Sequence, residues 1–305
     1  MIRNEMGIII LDDFNRVIKN EVGRKQKNWL ENNGKEYLFK TGASNYEIFA
    51  EVISAELAHQ CNLSTADYDI AIYNGHIGVV TPSFLNPGDT ILSGEDLFKY
   101  AKLFSPESKF NNSIDNIVDM LKLCTSRDYN IEEIKEQLTK IWLFDGLICE
   151  SDRNFSNWSI IINGNDIRIA PIYDCSTMCR MNNDINSLIR NIRDENDLIS
   201  MVSSIKFQLK RKQDDKDDDF FESFHCFCKE EPNTAKQFIE YLDMIDVNKA
   251  IETIEKRMKG SSDNLFNIPW EISFWINKIL KIRIEILRSI YEYSTEKIET
   301  IEKNR

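Results

Sequence analysis

The sequence predicts an α+β fold in two lobes: a small N-terminal β-rich lobe over residues 1–88 and a larger, mainly helical C-terminal lobe over residues 89–305. Three observations predict it. Up to Pro87-Gly88, short apolar runs alternate with Asn-Gly turns, the strongest short-range signal for hairpins. Beyond that dipeptide, apolar residues recur at helical spacing behind Ser caps. One apolar hairpin, between Trp158 and Asp174, interrupts the helical part.

In the N-terminal lobe GIIIL, KNWL and EYLFK read as strands, the last two joined through Asn33-Gly34. Side chains alternate along a strand, so Tyr37 and Phe39 share one face while Leu38 and Lys40 share the other. Taken alone, a lysine at a strand end is expected to reach water. From Tyr46 to Cys61 the period becomes helical: Ile48, Val52, Ala55 and Leu57 form a stripe, and Ser44 or Asn45 can cap. Glu47, Glu51 and Glu56 ride on this helix. Two further strands follow in YDIAIYNGHIGVVTPSFL, turning at Asn74-Gly75, with Pro82 closing the second.

The C-terminal lobe opens with helices at EDLFKYAKLF, at IDNIVDMLKLC behind Ser113, and at IEEIKEQLTKIWLFDGLIC, where Ile131, Ile134, Leu138, Ile141, Trp142 and Leu147 form a broad apolar face. The third helix runs straight into Ser151-Asp152. The hairpin WSIIIN to DIRIAPIYD turns at Asn163-Gly164-Asn165, so its Asn157 end and its Asp174 end are expected on one rim. Helical spacing returns over 184–204, 233–244, 246–259, stopped by Gly260, and 269–293, where Pro269 suits a first turn. Trp270, Phe274, Trp275, Ile279, Leu280, Ile286 and Leu287 put apolar groups on more than one side of the last helix, which places it and both tryptophans in the core. The run KRKQDDKDDD at 210–219 reads as a solvated loop.

Fifty acidic residues against thirty-eight basic ones give a net charge of -12. Such a surface repels nucleic acid and anionic membranes at long range, so an anionic partner must be met by local basic groups. The N-terminal apolar run is short and is followed by two aspartates, unlike a signal peptide or membrane anchor, and no later run reaches a spanning length. Seven scattered cysteines do not form a disulfide framework and point to a reducing, cytoplasmic setting.

The chemistry gathers in ICESDRNFSNWSIIINGNDIRIAPIYDCSTM. Asp152 and Asn157 stand five residues apart on a loop, and Asp174 follows the hairpin. Phosphoryl transfer from a nucleotide uses such a set: an Asp beside the attacking hydroxyl, with an Asn and a second Asp as hard oxygen ligands for magnesium. A strand lysine followed by a helix with a placed glutamate, as with Lys40 and the 46–61 helix, is the arrangement that holds a lysine against nucleotide phosphates.

Three blocks carry a family likeness: EYLFK at 36–40, the glutamate helix with its following CNLSTADYDIA, and FDGLICESDRNFSNWSIII through RIAPIYDCS. Together they resemble the HipA-like kinases, including the shorter CtkA type. The loop also looks like that of phosphatidylinositol-type lipid kinases. The resemblance implies a protein-kinase-like fold, ATP and Mg2+ as cofactors, and a protein Ser or Thr hydroxyl as acceptor, the chain's own included. It makes Asp152 the group that orients or deprotonates the acceptor, Asn157 and Asp174 the magnesium ligands, Lys40 the contact to the α- and β-phosphates, and Glu51 its partner, with Glu47 one turn earlier as the fallback. Arg153 is expected to brace the loop. A lipid or small-molecule acceptor, or an inactive nucleotide-binding module, are the other readings of the same fold.

The chain departs from the family at Asn154, which stands where a histidine is usual. Cys-Ser rather than Phe-Gly follows Asp174, which agrees with HipA-like chains and argues against an ordinary eukaryotic-type protein kinase. No Gly-x-Gly-x-x-Gly precedes Lys40, which leaves VGRKQKN at 22–28 to cover the phosphates. The additional N-terminal part of full-length HipA toxins has no counterpart, so toxin function does not transfer automatically, and whether there is an antitoxin partner stays open. His225-Cys226-Phe227-Cys228 and the pair Cys175 and Cys179 lack a second ligand pair at zinc-finger spacing and read as buried thiols. The acidic run at 214–219 lacks the glycine and terminal glutamate of a calcium loop.

Overall fold

The computed structural model describes residues 2–19, 27–42, 44–125, 130–214, 220–259 and 267–303. Most of the proposed phosphate-covering loop (22–26), Gly260 and the 215–219 end of the acidic run lie outside these residues. The chain divides into two compact units, one of Met1–Pro87, Pro171–Asn191 and Asp246–Ile276, the other of Gly88–Ala170, Ile192–Ile245 and Asn277–Arg305. The class is α+β, with a β-rich unit and a mainly helical one.

The first unit holds a six-stranded sheet built from β1 (Ile9–Ile10), β2 (Asn15–Val17), β3 (Lys27–Asn32), β4 (Lys35–Thr41), β5 (Asp69–Tyr73) and β6 (His76–Pro82), in the order β1-β5-β6-β4-β3-β2. Both Asn-Gly turns join antiparallel neighbours, and Asn33, Gly34, Asn74 and Gly75 all have φ between 49° and 75°, as a two-residue hairpin turn demands. Ile9, Leu11, Phe14, Leu30, Tyr37, Phe39, Ala71, Tyr73 and Val80 pack into one buried cluster. Helix α1 (Asn45–Gln60) starts at Ser44, whose hydroxyl accepts from the Glu47 amide.

In the second unit, β7 (Thr90–Ser93), β8 (Ser159–Asn163) and β9 (Asp166–Ile169) form an antiparallel sheet, with β8 central. Strand β7 is too short and too near Pro87-Gly88 to carry a sequence signal of its own. Ser93, Ser113 and Asn130 cap α2 (Gly94–Phe104), α3 (Ile114–Cys124) and α4 (Ile131–Ile148). The helix expected over 184–204 is two: α5 (Ile185–Asn191) ends, and Asp194 caps α6 (Glu195–Ser203) by accepting from the Asp197 amide. A helix that the sequence reading missed, α7 (Phe220–Glu230), carries His225, Cys226 and Cys228. Its Phe220, Phe224, Phe227 and Cys228 recur at helical spacing and are all buried, so the period was present beneath the metal-like motif.

Helices α8 (Pro232–Leu242), α9 (Val247–Lys259) and α10 (Trp270–Lys303) follow. The last runs beyond its expected end at 293. The expectation that its apolar residues are buried on more than one side, with both tryptophans in the core, is corrected: Trp270 is 69% exposed and Phe274 43%, whereas Ile272, Trp275, Ile276, Ile279 and Leu287 are buried along one stripe. Trp275 also donates its indole N–H to the Cys179 carbonyl at 2.8 Å, a partner that a buried indole needs. Among the described residues no helix is long and apolar enough to cross a membrane.

Candidate active site

In the first unit the site is built around Lys40. Its position on β4, between β3 and β6, buries it to 5% exposure, which overturns the water-facing expectation for a lone strand lysine. Such burial requires compensation, because an isolated ammonium in a dry interior is far costlier than a paired one. The Lys40 ammonium donates to Glu51 Oε1 at 2.5 Å and to Asp174 Oδ1. Burial works against its charge, but the Glu51 and Asp174 carboxylates outweigh burial and hold the lysine above its ordinary range. Glu51 rather than Glu47 is the partner on α1, although both are buried.

Asp174 reaches Lys40 through an unusual backbone. Its φ of 58° lies in the left-handed region, which a residue with a Cβ enters only when its surroundings hold it there. Those surroundings are explicit. The Ile172 amide donates to the Ser64 carbonyl, and the Ala66 amide donates back to the Ile172 carbonyl, both at 2.8 Å. The Tyr68 hydroxyl accepts the Asp174 amide at 3.4 Å, and Glu51 Oε2 accepts the Cys175 amide at 3.1 Å. Burial, and then the charges of Glu51 and Asp174, push the Tyr68 phenol well above its usual range, so it remains a hydroxyl. The block CNLSTADYDIA therefore anchors the Asp174 segment, a role that no local pattern announces.

In the second unit the loop after α4 begins with Cys149 at φ 58°, a left-handed helix end that turns the chain. Arg153 is 1% exposed and makes a two-pronged pair with Asp145, Nε to Oδ2 at 3.0 Å and Nη2 to Oδ1 at 2.8 Å, while Nη1 donates to the Asn157 carbonyl at 2.8 Å. It braces the loop from beneath, as expected. Burial raises the Asp145 carboxyl even though Arg153 acts to lower it. The missed residue here is Asp145, one of many acidic residues on helices and distinguished only by its burial.

Asp152 and Asn157 are brought together on the loop. The Asn157 Nδ2 donates to the Asp152 carbonyl at 2.5 Å and reaches Asp152 Oδ2 at 3.4 Å. That fixes the Asn157 amide so that its Oδ1, a hard oxygen, has among the described residues only a 3.4 Å contact from the Ser156 hydroxyl. Asn154 is the hub of the turn: its amide donates to the Asp152 carbonyl, its Nδ2 to Asp152 Oδ1 at 2.9 Å, and its Oδ1 accepts from both the amide and the hydroxyl of Ser156. Asn154 thus braces the loop through its carboxamide. Gln208, absent from the sequence reading, also donates to Asp152 Oδ1, at 3.0 Å.

The structure brings Lys40, Glu51 and Asp174 together in one unit and Asp152 with Asn157 in the other. Cys61, Cys149, Cys175, Cys179 and Cys228 are buried thiols, while Cys226 is exposed. Among the described residues no group of three or more His, Cys, Asp or Glu side chains converges as metal ligands would.

The HipA-like C-terminal domain family matches residues 17–256. No curated protein sequence matches the chain. The fold is similar to that of CtkA, a proinflammatory kinase of Helicobacter pylori, at a TM-score of 0.71 and 15% identity, covering 95% of this chain and 99% of that one. It is also similar to HipA of the Shewanella oneidensis MR-1 toxin–antitoxin system, solved with HipB and operator DNA, at 0.58 and 14%, covering 90% of this chain and 67% of that one. The α+β architecture is thus kinase-like, and with the family match running through β4, α1 and the Asp152 loop, the chain belongs to the HipA-like kinase family.

Proposed function

We propose that this protein is an ATP- and magnesium-dependent kinase that transfers the γ-phosphate to a Ser or Thr hydroxyl of a protein, its own chain included. The observation that carries this reading is the buried Lys40–Glu51–Asp174 cluster. A lysine so held is a fixed positive point for nucleotide phosphates, and Glu51 keeps it in place when Asp174 turns to other work. In this reading Asp152 orients the acceptor and takes its proton as the hydroxyl oxygen attacks the γ-phosphorus and ADP departs with the bond pair. The fixed Asn157 Oδ1 and the Asp174 carboxylate suit a hard cation, and the two would hold magnesium. Magnesium, when bound, supplies neutralisation of phosphate charge.

A net charge of -12 favours a protein acceptor over an anionic membrane or nucleic acid. HipA of Shewanella is found with HipB, and the protein substrate of this chain is best sought among cytosolic proteins. Incubation with γ-labelled ATP and magnesium, with and without added protein acceptors, tests the reading. Labelled protein is expected from the wild type, and Asp152→Ala and Asp174→Ala are each expected to lose about a hundredfold or more of the rate. Labelling unchanged in both variants would refute it.

A further inference from the structure

Resting on the kinase reading above, the geometry assigns to Gln208 the role of positioning residue for Asp152, and to Asp152 Oδ2 the role of proton acceptor. Residues 205–210 alternate in burial, with Ile205, Phe207 and Leu209 buried and Lys206 and Gln208 exposed. The segment is anchored to Asn112, whose carbonyl accepts the Lys210 amide at 3.0 Å and whose Nδ2 donates to the Gln208 carbonyl at 3.2 Å and to the Arg153 carbonyl at 2.6 Å. One asparagine therefore ties this segment to the loop bearing Asp152. The consequence is the Gln208 Nε2 donation to Asp152 Oδ1 at 3.0 Å.

A carboxylate oxygen accepts about two hydrogen bonds. Among the described residues Oδ1 has two, from Gln208 and Asn154, whereas Oδ2 has one long contact from Asn157 at 3.4 Å. Two carboxamides thus saturate one oxygen and stop the carboxylate rotating, while the other keeps capacity for the acceptor. As the hydroxyl oxygen bonds to the γ-phosphorus and the bond to the β-phosphate oxygen breaks, the hydroxyl proton passes to Oδ2.

The test replaces Gln208, an exposed side chain, by Met, Glu and Lys, and measures kcat and the KM for ATP with one protein acceptor, alongside Asp152→Ala. Loss of one hydrogen bond to a charged group predicts a kcat lower by about tenfold in Gln208→Met, with the KM for ATP and the unfolding temperature unchanged. Gln208→Glu, which sets a second carboxylate against Asp152, falls further, and Gln208→Lys, which keeps a donor, stays nearest the wild type. Equal rates in all three variants overturn the assignment, because a merely structural segment would not distinguish a donor from an acceptor at an exposed position. A rise in kcat on Gln208→Met also overturns it, showing a plug rather than a support. Nitrogen–proton spectra separate this from the kinase reading: the Gln208 carboxamide signal, identified by its loss in Gln208→Met, is expected to move in Asp152→Asn. If the wild type shows no transfer at all, the kinase reading fails; an unmoved carboxamide signal then overturns the positioning as well.

Discussion

Lys40 and Arg153 are the two buried cations on which the candidate site depends, and they compensate different carboxylates. Removing one partner of a buried ion pair leaves an uncompensated charge, which costs far more than the pair itself contributes. Lys40→Met strands Glu51 and Asp174, and Arg153→Ala strands Asp145 together with the Asn157 carbonyl. Each is expected to lower stability by about 3–5 kcal/mol in urea denaturation. Labelling from ATP separates them: Arg153→Ala is expected to retain measurable transfer at low temperature, where it is folded, and Lys40→Met is not. The residues of the site were legible because Asp152, Asn157 and Asp174 are oxygen-bearing groups crowded into one stretch, and because a strand lysine precedes a glutamate helix. Asp145, Tyr68 and Gln208 were not legible. Each matters through a partner distant in sequence or through burial, as with the 106 residues between Tyr68 and Asp174.

Among the elements, those with caps and turns announced themselves and those defined by their partners did not. Ser44, Ser93 and Ser113 each cap a helix, and the Asn-Gly pairs each turn a hairpin, because these side chains and backbone angles act within a few residues. Strand β7 exists because β8 offers it an edge, and α7 was masked by its metal-like residues. Helix α7 also makes a prediction that propensity alone would invert. Alanine is a better helix former than glycine by about 1 kcal/mol, which would favour Gly146→Ala within α4. A Cβ at Gly146, however, would lie 1.9 Å from the Phe220 ring of α7. Phe220 is itself packed against Trp142, Phe207 and Phe224, so it has no room to withdraw. Gly146→Ala is therefore expected to destabilise by about 1–3 kcal/mol, measured as a lower unfolding midpoint.

At the scale of the molecule, each compact unit carries a part of the candidate chemistry, and binding of nucleotide with magnesium is expected to raise the stability of the fold. At a hundred times its dissociation constant a ligand stabilises by about 2.7 kcal/mol, so Mg-ATP should raise the unfolding temperature of the wild type by a few degrees, a chelator should reduce the gain, and Lys40→Met and Asp174→Ala should abolish it. Calorimetry with and without the chelator checks this. The sequence by itself determined the α+β class, the order of most strands and helices, the caps and turns, and the chemical types gathered at 148–178, since all of these depend on local periodicity or on the nature of single side chains. Only the tertiary structure decided that Pro171–Asn191 and Asp246–Ile276 join the N-terminal strands in one unit, that Lys40 is buried against Glu51 and Asp174, that Trp270 faces water while Trp275 is buried, and that Gln208 meets Asp152. The physical reason is that burial and pairing are properties of what surrounds a residue, and here those surroundings come from segments up to 134 residues away along the chain.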